Sequence, residues 1–95
     1  MLGDGGVSLL RAIDENGSIR AAATRVGWSY RHTLAYLDNA EATLGRQLVE
    51  RARGGNERGG TQLTREAREF VRRYVSFRAR ADAALLRLYR SAFGT

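Results

Sequence analysis

Residues 16–37 read NGSIRAAATRVGWSYRHTLAYL, and the punctuation of that stretch decides the fold. Asn16-Gly17 is the usual ending of a helix, because glycine takes the left-handed backbone that closes the last turn. Ser18 comes at once after it and can accept a hydrogen bond from a first-turn amide, so it opens a second helix that runs through Val26. Gly27 breaks that helix, and Ser29 caps a third, Tyr30 to Leu44, which Gly45 closes. The alanines Ala21 to Ala23 allow a neighbouring helix to approach closely. Leu34, Leu37, Ala40, Ala42 and Leu44 fall on or near the buried side of the third helix.

Upstream, Val7, Leu10 and Ile13 recur every three residues, with Leu9 and Ala12 widening the stripe, so Val7 to Glu15 is predicted as a first helix. Downstream, Gln47 to Ala52 and Thr61 to Thr64 are two short strand-like runs around Leu48, Val49 and Leu63. Arg53-Gly-Gly-Asn-Glu-Arg-Gly-Gly60 joins them, which makes a β-hairpin. From Arg65 to about Phe93 there is no glycine or proline, and Thr64 is placed to cap a helix that starts there. Ala67, Phe70, Val71, Tyr74, Phe77, Ala81, Ala84, Leu85, Leu88 and Ala92 sustain an amphipathic pattern over four heptads. The fold class is therefore mainly α with a small β-hairpin: a winged helix-turn-helix over residues 1–64, and a long helix over residues 65–95 of the same unit.

A globule of some 60 residues cannot cover the whole of that last helix. Its second half, from about Arg78 to Phe93, would leave an apolar stripe in water. A second copy of the chain is the expected cover. The seam would be Phe70, Tyr74, Phe77, Ala81, Leu85 and Leu88.

The chain has 95 residues, which is one domain with a small core. All sixteen basic residues are arginines, and against ten acids they leave a net charge of +6. Such a balance points to an anionic partner, most often nucleic acid. Residues 20–37 hold Arg20, Arg25 and Arg31 and no acid. The long helix holds eight arginines and three acids, most simply its solvated face, with Glu66 and Glu69 pairing to Arg73 or its neighbours.

Other chemistries are disfavoured. Without cysteine there is no disulfide or thiolate metal site. One histidine rules out histidine-cluster metals and weakens any catalytic triad, so no catalytic residue, metal or cofactor is expected. Asp14 and Glu15 are adjacent and point apart on a helix, which argues against a catalytic carboxylate pair. The glycine-rich connection is not followed by the lysine and hydroxyl of a nucleotide P-loop. No apolar run nears the ~18 residues that span a bilayer, and Met1 to Val7 lacks the layout of a signal peptide. The expected location is the cytoplasm.

A helix-turn-helix reads duplex DNA by laying its second motif helix in the major groove, with the N-terminal residues nearest the base edges. Here those residues are Ser29, Tyr30, Arg31, His32 and Thr33, with Tyr36 one turn on. Arg31 can bond guanine in two places at once. Ser18 and Arg20 begin the preceding helix, where amides and a charge suit a phosphate. The hairpin tip offers Arg53, Asn56 and Arg58 to backbone or minor groove. Trp28, in the turn, reads as core or wedge and not as a base-stacking residue, and His32 as a surface side chain and not as a pH switch.

Two segments, AIDENGSIRAAATRVGWSY from Ala12 and LGRQLVERARGGNERGGTQLTREAREFV from Leu44, carry a resemblance. The set Gly17-Ser-Ile, Ser29-Tyr30-Arg31, Leu48-Val-Glu-Arg51, the paired glycines at 54/55 and 59/60, and Leu63-Thr64 resembles the N-terminal DNA-binding domain of ModE-type, molybdate-responsive regulators. Glu41, Leu44-Gly45 and Glu50-Arg51 are shared with the wider LysR-like group. The resemblance covers roughly residues 7–77. It implies a homodimeric, sequence-specific transcriptional regulator whose last helix pairs with that of another subunit, so that two recognition helices read a palindromic operator. Regulators of both kinds normally continue into an effector-binding domain. With its last residue at 95, the chain is expected to work without a small-molecule effector site of its own. Two alternative readings stand beside it: an architectural protein that coats DNA without choosing sequence, against which the polar residues 29–36 argue, and an adaptor that docks a separate sensor through its last helix.

Overall fold

The computed structural model describes residues 2–51 and 60–94. In chain order it contains α1 (Asp4–Asn16), α2 (Ile19–Val26), α3 (Tyr30–Leu44), β1 (Val49–Arg51), β2 (Thr61–Leu63) and α4 (Arg65–Phe93). The chain is mainly α with a two-stranded antiparallel hairpin, as the sequence predicts. Val49 pairs with Leu63, Glu50 with Gln62 and Arg51 with Thr61.

The core is built around α1. Leu9, Leu10 and Ile13 have no exposed surface, and Val7 and Ala12 are nearly as deep. Burying a side chain of that size contributes about 1.5–3 kcal/mol. Ala22 and Ala23 from α2, Leu37 from α3, Leu48 and Leu63 beside and within the hairpin, and Ala67 from α4 close over them. The small alanines face inward as their size predicts, apart from Ala21, which is exposed.

α1 begins three residues earlier than the apolar spacing predicts. The helix includes Gly5 and Gly6, although glycine loses the most backbone freedom in a helix. Tertiary packing overrides that preference. Gly6 is buried, and a Cβ at this position would lie 2.0 Å from the Tyr36 hydroxyl. Asp4 in the first turn suits the positive end of the helix. Its carboxylate also accepts a hydrogen bond from the Tyr74 hydroxyl and lies 3.5 Å from Nε of Arg78, so it ties α1 to α4.

Two expectations for α3 need correction. Ala42 and Leu44 are exposed, Leu44 at 45%. The inward stripe of this helix is Thr33 and Leu37, flanked by partly buried Leu34, Tyr36 and Ala40. The last turn runs past the edge of the small core, and Leu44 lines an open groove with Leu48 and Phe70.

The hairpin is fastened at its base from three sides. The Glu41 carboxylate on α3 accepts from the amides of Leu48 (2.7 Å) and Val49 (3.3 Å). The Thr61 amide donates to the Gly17 carbonyl (2.8 Å), joining β2 to the α1–α2 turn. The Thr64 hydroxyl donates to the Gln47 carbonyl (3.0 Å) and accepts from the Ala67 amide (3.1 Å), so it closes the hairpin and caps α4 together. α4 then runs for 29 residues, about 43 Å at 1.5 Å per residue, and gives the molecule its 60 Å long dimension. Beyond its first two turns the helix leaves the core: Phe77 is 60% exposed, Leu85 64% and Leu88 68%. Glu69 pairs with Arg72, a neighbour of Arg73, as expected, while Glu66 has no ion-pair partner among the described residues. Among the described residues no helix is long and apolar enough to cross a membrane, and no acid, histidine or cysteine cluster could hold a metal.

Candidate nucleic-acid interface

The turn between α2 and α3 sets the site. Gly27 has φ 81°, a left-handed backbone that side chains avoid, and its amide reaches the Ala23 and Thr24 carbonyls. The Trp28 amide also closes on Ala23, at 2.9 Å. Ser18 and Ser29 are both N-caps, each accepting at 3.0 Å from the amide three residues on, Ala21 and His32 respectively. Their hydroxyls thus have a structural task at the two helix starts that the motif presents side by side.

The side chains at the head of α3 divide into two sets. Arg31 and His32 are exposed, and Arg31 has no ion-pair partner among the described residues. Tyr36 and Trp28 are half-buried and packed inward. Trp28 meets His32 and Tyr36 edge-on, with ring centres 4.7 and 5.2 Å apart. Burial raises the Tyr36 phenol above its ordinary pKa. Trp28 therefore packs against the core's edge, as its position in the turn suggests.

Thr33 is a correction. It is fully buried, and its hydroxyl donates to the Ser29 carbonyl at 2.8 Å, so it has no surface to offer a base. Helical geometry explains this: Thr33 lies one turn before Leu37 on the inward face, whereas Arg31 and His32 lie on the outward arc. Tyr36 is turned toward Gly6 and Trp28, which makes it a support of the helix angle more than a contact residue.

Arg20 is exposed at the start of α2, with its guanidinium carbon 3.9 Å from the centre of the Tyr30 ring. Arg25, counted in the local basic cluster, is held by Glu15 at 2.7 Å. The acid-free run is thus partly neutralised by a residue from α1, which a count along the chain does not reveal. On the hairpin, Arg51 is exposed at the last described position of β1. Arg53, Asn56 and Arg58 lie outside the described residues. Gly6, Glu41 and Asp4 were absent from the predicted site. Only Glu41 had a signal in the sequence, as a residue of the motif set.

Comparison with known proteins agrees with this geometry. Residues 6–68 match the family described as bacterial regulatory helix-turn-helix protein, lysR family. The chain is similar to the Molybdenum transport protein ModE of Azotobacter vinelandii, 38% identical over 87 residues, which are 92% of this chain and 32% of that protein. It is also similar to ModE of Herbaspirillum seropedicae, at 36% over 88 residues, 85% of this chain and 33% of that protein. The chain thus spans about a third of the length of these relatives. Among solved structures, the CbnR DNA-binding domain in complex with DNA superposes with a TM-score of 0.69 at 26% identity, covering 90% of this chain and 93% of that one. The BenM DNA-binding domain with benA site 1 DNA shares the fold, with a TM-score of 0.67 at 24% identity over 94% of each chain. A two-helix motif with capped starts, a hairpin fastened to its base and a long final helix are features of one class of DNA-binding transcriptional regulators, and the chain belongs to the lysR family of bacterial regulatory helix-turn-helix proteins.

Proposed function

We propose that the chain is the DNA-reading part of a sequence-specific transcriptional regulator that acts as a homodimer on a palindromic operator in the cytoplasm. The observation that carries the reading is Arg31: an exposed guanidinium without an ion-pair partner among the described residues, at the start of a helix whose opposite face is anchored by Thr33 and Leu37. Placed in the major groove, it bonds O6 and N7 of a guanine, with Ser29 and His32 beside it. Arg20 and the α2 start meet phosphate, which fixes register without reading sequence. The wing residues Arg53, Asn56 and Arg58 extend the contact to backbone or minor groove.

The dimer is proposed on the exposed stripe of α4. Phe77, Leu85 and Leu88 are more than half exposed, and Phe70 and Tyr74 border an apolar groove with Leu44 and Leu48. Soluble monomers rarely leave a stripe of that length in water. Two copies double the basic surface and bring two recognition helices to one operator.

Selection of bound fragments from a genomic library, followed by competition against random DNA, tests the reading. Arg31→Ala should lose operator preference by about 1–3 kcal/mol, the usual worth of a bidentate base contact. An Arg31→Ala protein that discriminates as the native one does would sink the assignment of α3.

A further inference from the structure

Tyr30 stands at the head of α3 among residues expected to touch DNA, yet its ring face is already occupied. The Arg20 guanidinium lies over it at stacking distance, 3.9 Å from the ring centre. Tyr30 is itself half-buried, with its other contacts on the edge of the core. The ring is therefore a fixed platform, and Arg20 is the exposed partner.

The way an arginine is held decides what it can still do. Arg25 is held by the Glu15 carboxylate, which cancels its charge and occupies a donor. A ring face holds the cation through its quadrupole and takes away neither the charge nor the in-plane fork of N–H donors. Among the described residues Arg20 has no carboxylate partner and no side-chain hydrogen bond. An exposed arginine otherwise samples many rotamers and loses that freedom on binding. Stacking removes part of this loss in advance, and it does so across the junction between the two helices of the motif.

We infer that Tyr30 is a positioning residue: its ring holds the Arg20 guanidinium ready for a phosphodiester of the DNA backbone, and Tyr30 itself reads no base. This rests on the proposed placement of α2 and α3 on duplex DNA. Two consequences separate it from a direct base contact by Tyr30. Its effect reaches DNA through Arg20, so it vanishes when Arg20 is absent. It also requires the ring and not the hydroxyl.

A double-mutant cycle on the whole chain tests this, with anisotropy titrations of a selected operator and a random duplex over a range of salt, and melting temperatures as the folding control. Arg20→Ala should weaken both duplexes alike and make the slope of log K against log salt shallower by about 1 per subunit, about 2 per dimer. Tyr30→Leu should weaken both by about two- to fivefold, the range of an exposed cation–π contact. Tyr30→Phe should bind as the native chain does, and Arg20→Ala/Tyr30→Leu should be no weaker than Arg20→Ala. Additive losses, an unchanged Tyr30→Leu, or a Tyr30→Phe that loses operator preference would each overturn the inference. A native chain with no salt-dependent DNA binding would instead overturn the placement of the motif, and this inference with it. A readout without DNA guards against misfolding of the leucine variant. The Arg20 Nε–H resonance should carry an upfield ring shift in the native and Tyr30→Phe chains, and its absence from both would refute the stack.

Discussion

Gly6 shows how a residue with no side chain lets α3 pack closely on α1. Its missing Cβ is the space taken by the Tyr36 hydroxyl, and Tyr36 in turn braces Trp28. Replacement by alanine gains up to about 1 kcal/mol of helix propensity. The new methyl would sit 2.0 Å from the hydroxyl and 2.8 Å from a Leu2 methyl, so the Tyr36 ring must swing. Overpacking of that kind costs about 1–3 kcal/mol and exceeds the gain. Gly6→Ala should therefore lose about 1 kcal/mol of stability in chemical denaturation, and Tyr36→Phe should restore part of it by removing the clashing oxygen. A Gly6→Ala protein as stable as the native one would mean that Tyr36 is not packed on α1. Thr33 makes the complementary point. A polar residue in a reading helix suggests contact with a base, yet its hydroxyl is satisfied within the protein by Ser29.

At the scale of elements, a few polar contacts reinforce the apolar packing that joins the hairpin and the long helix to α1. Glu41 accepts two amides at the entry to β1. Alanine there would leave partly buried amides without an acceptor, at a cost of about 1–3 kcal/mol. Glu41→Ala should lower the denaturation midpoint and speed amide exchange at Leu48 and Val49 before it does so in α1. Asp4 joins α4 to α1. The hydrogen bond that Tyr74 donates to the Asp4 carboxylate raises the phenol above its ordinary pKa of 10.0. A folded-state pKa raised above the unfolded value gives stability that is complete below pH 10 and is lost as pH rises through the folded value. Melting temperature should thus fall in the alkaline range, and Tyr74→Phe should flatten that fall while lowering stability at neutral pH. Tyr36, raised by burial, acts with the same sign, so a residual slope should remain in the Tyr74→Phe chain. Ion pairs such as Arg68–Asp14 (3.2 Å) and Arg78–Asp82 (3.4 Å) are largely exposed and add little, about 0–1 kcal/mol each.

For the molecule as a whole, the unanswered demand of the fold is the outer half of α4. Its apolar arc is wider than the predicted seam, because Leu86, Tyr89 and Phe93 are also about half exposed or more, with the Tyr89 and Phe93 rings 4.8 Å apart. If α4 is the dimer seam, Leu88→Asp should convert the chain to monomer in sedimentation experiments. Its melting curve at high dilution should stay close to the native one, since Leu88 contributes almost nothing to the core of one copy. A Leu88→Asp chain that sediments as a dimer would move the seam elsewhere. Loss of the dimer should also reduce the salt dependence of DNA binding, because fewer phosphates are then neutralised per complex.

Local signals in the chain set the order and most boundaries of the elements, since caps and helix stops act within a few residues. Ser18, Gly27, Ser29, Gly45 and Thr64 stand where their local chemistry places them. They also set the core of α1, whose spacing needs no partner to be read. Which polar residues remain at the surface was settled by packing in three dimensions. Packing buried Thr33, turned Tyr36 toward Gly6, paired Arg25 with Glu15 and laid Arg20 over Tyr30. It likewise extended α1 through Gly5 and Gly6, where Tyr36 of α3 packs against the space a Cβ at Gly6 would fill. Local rules see neighbours in the chain, and each of these outcomes depends on neighbours in space.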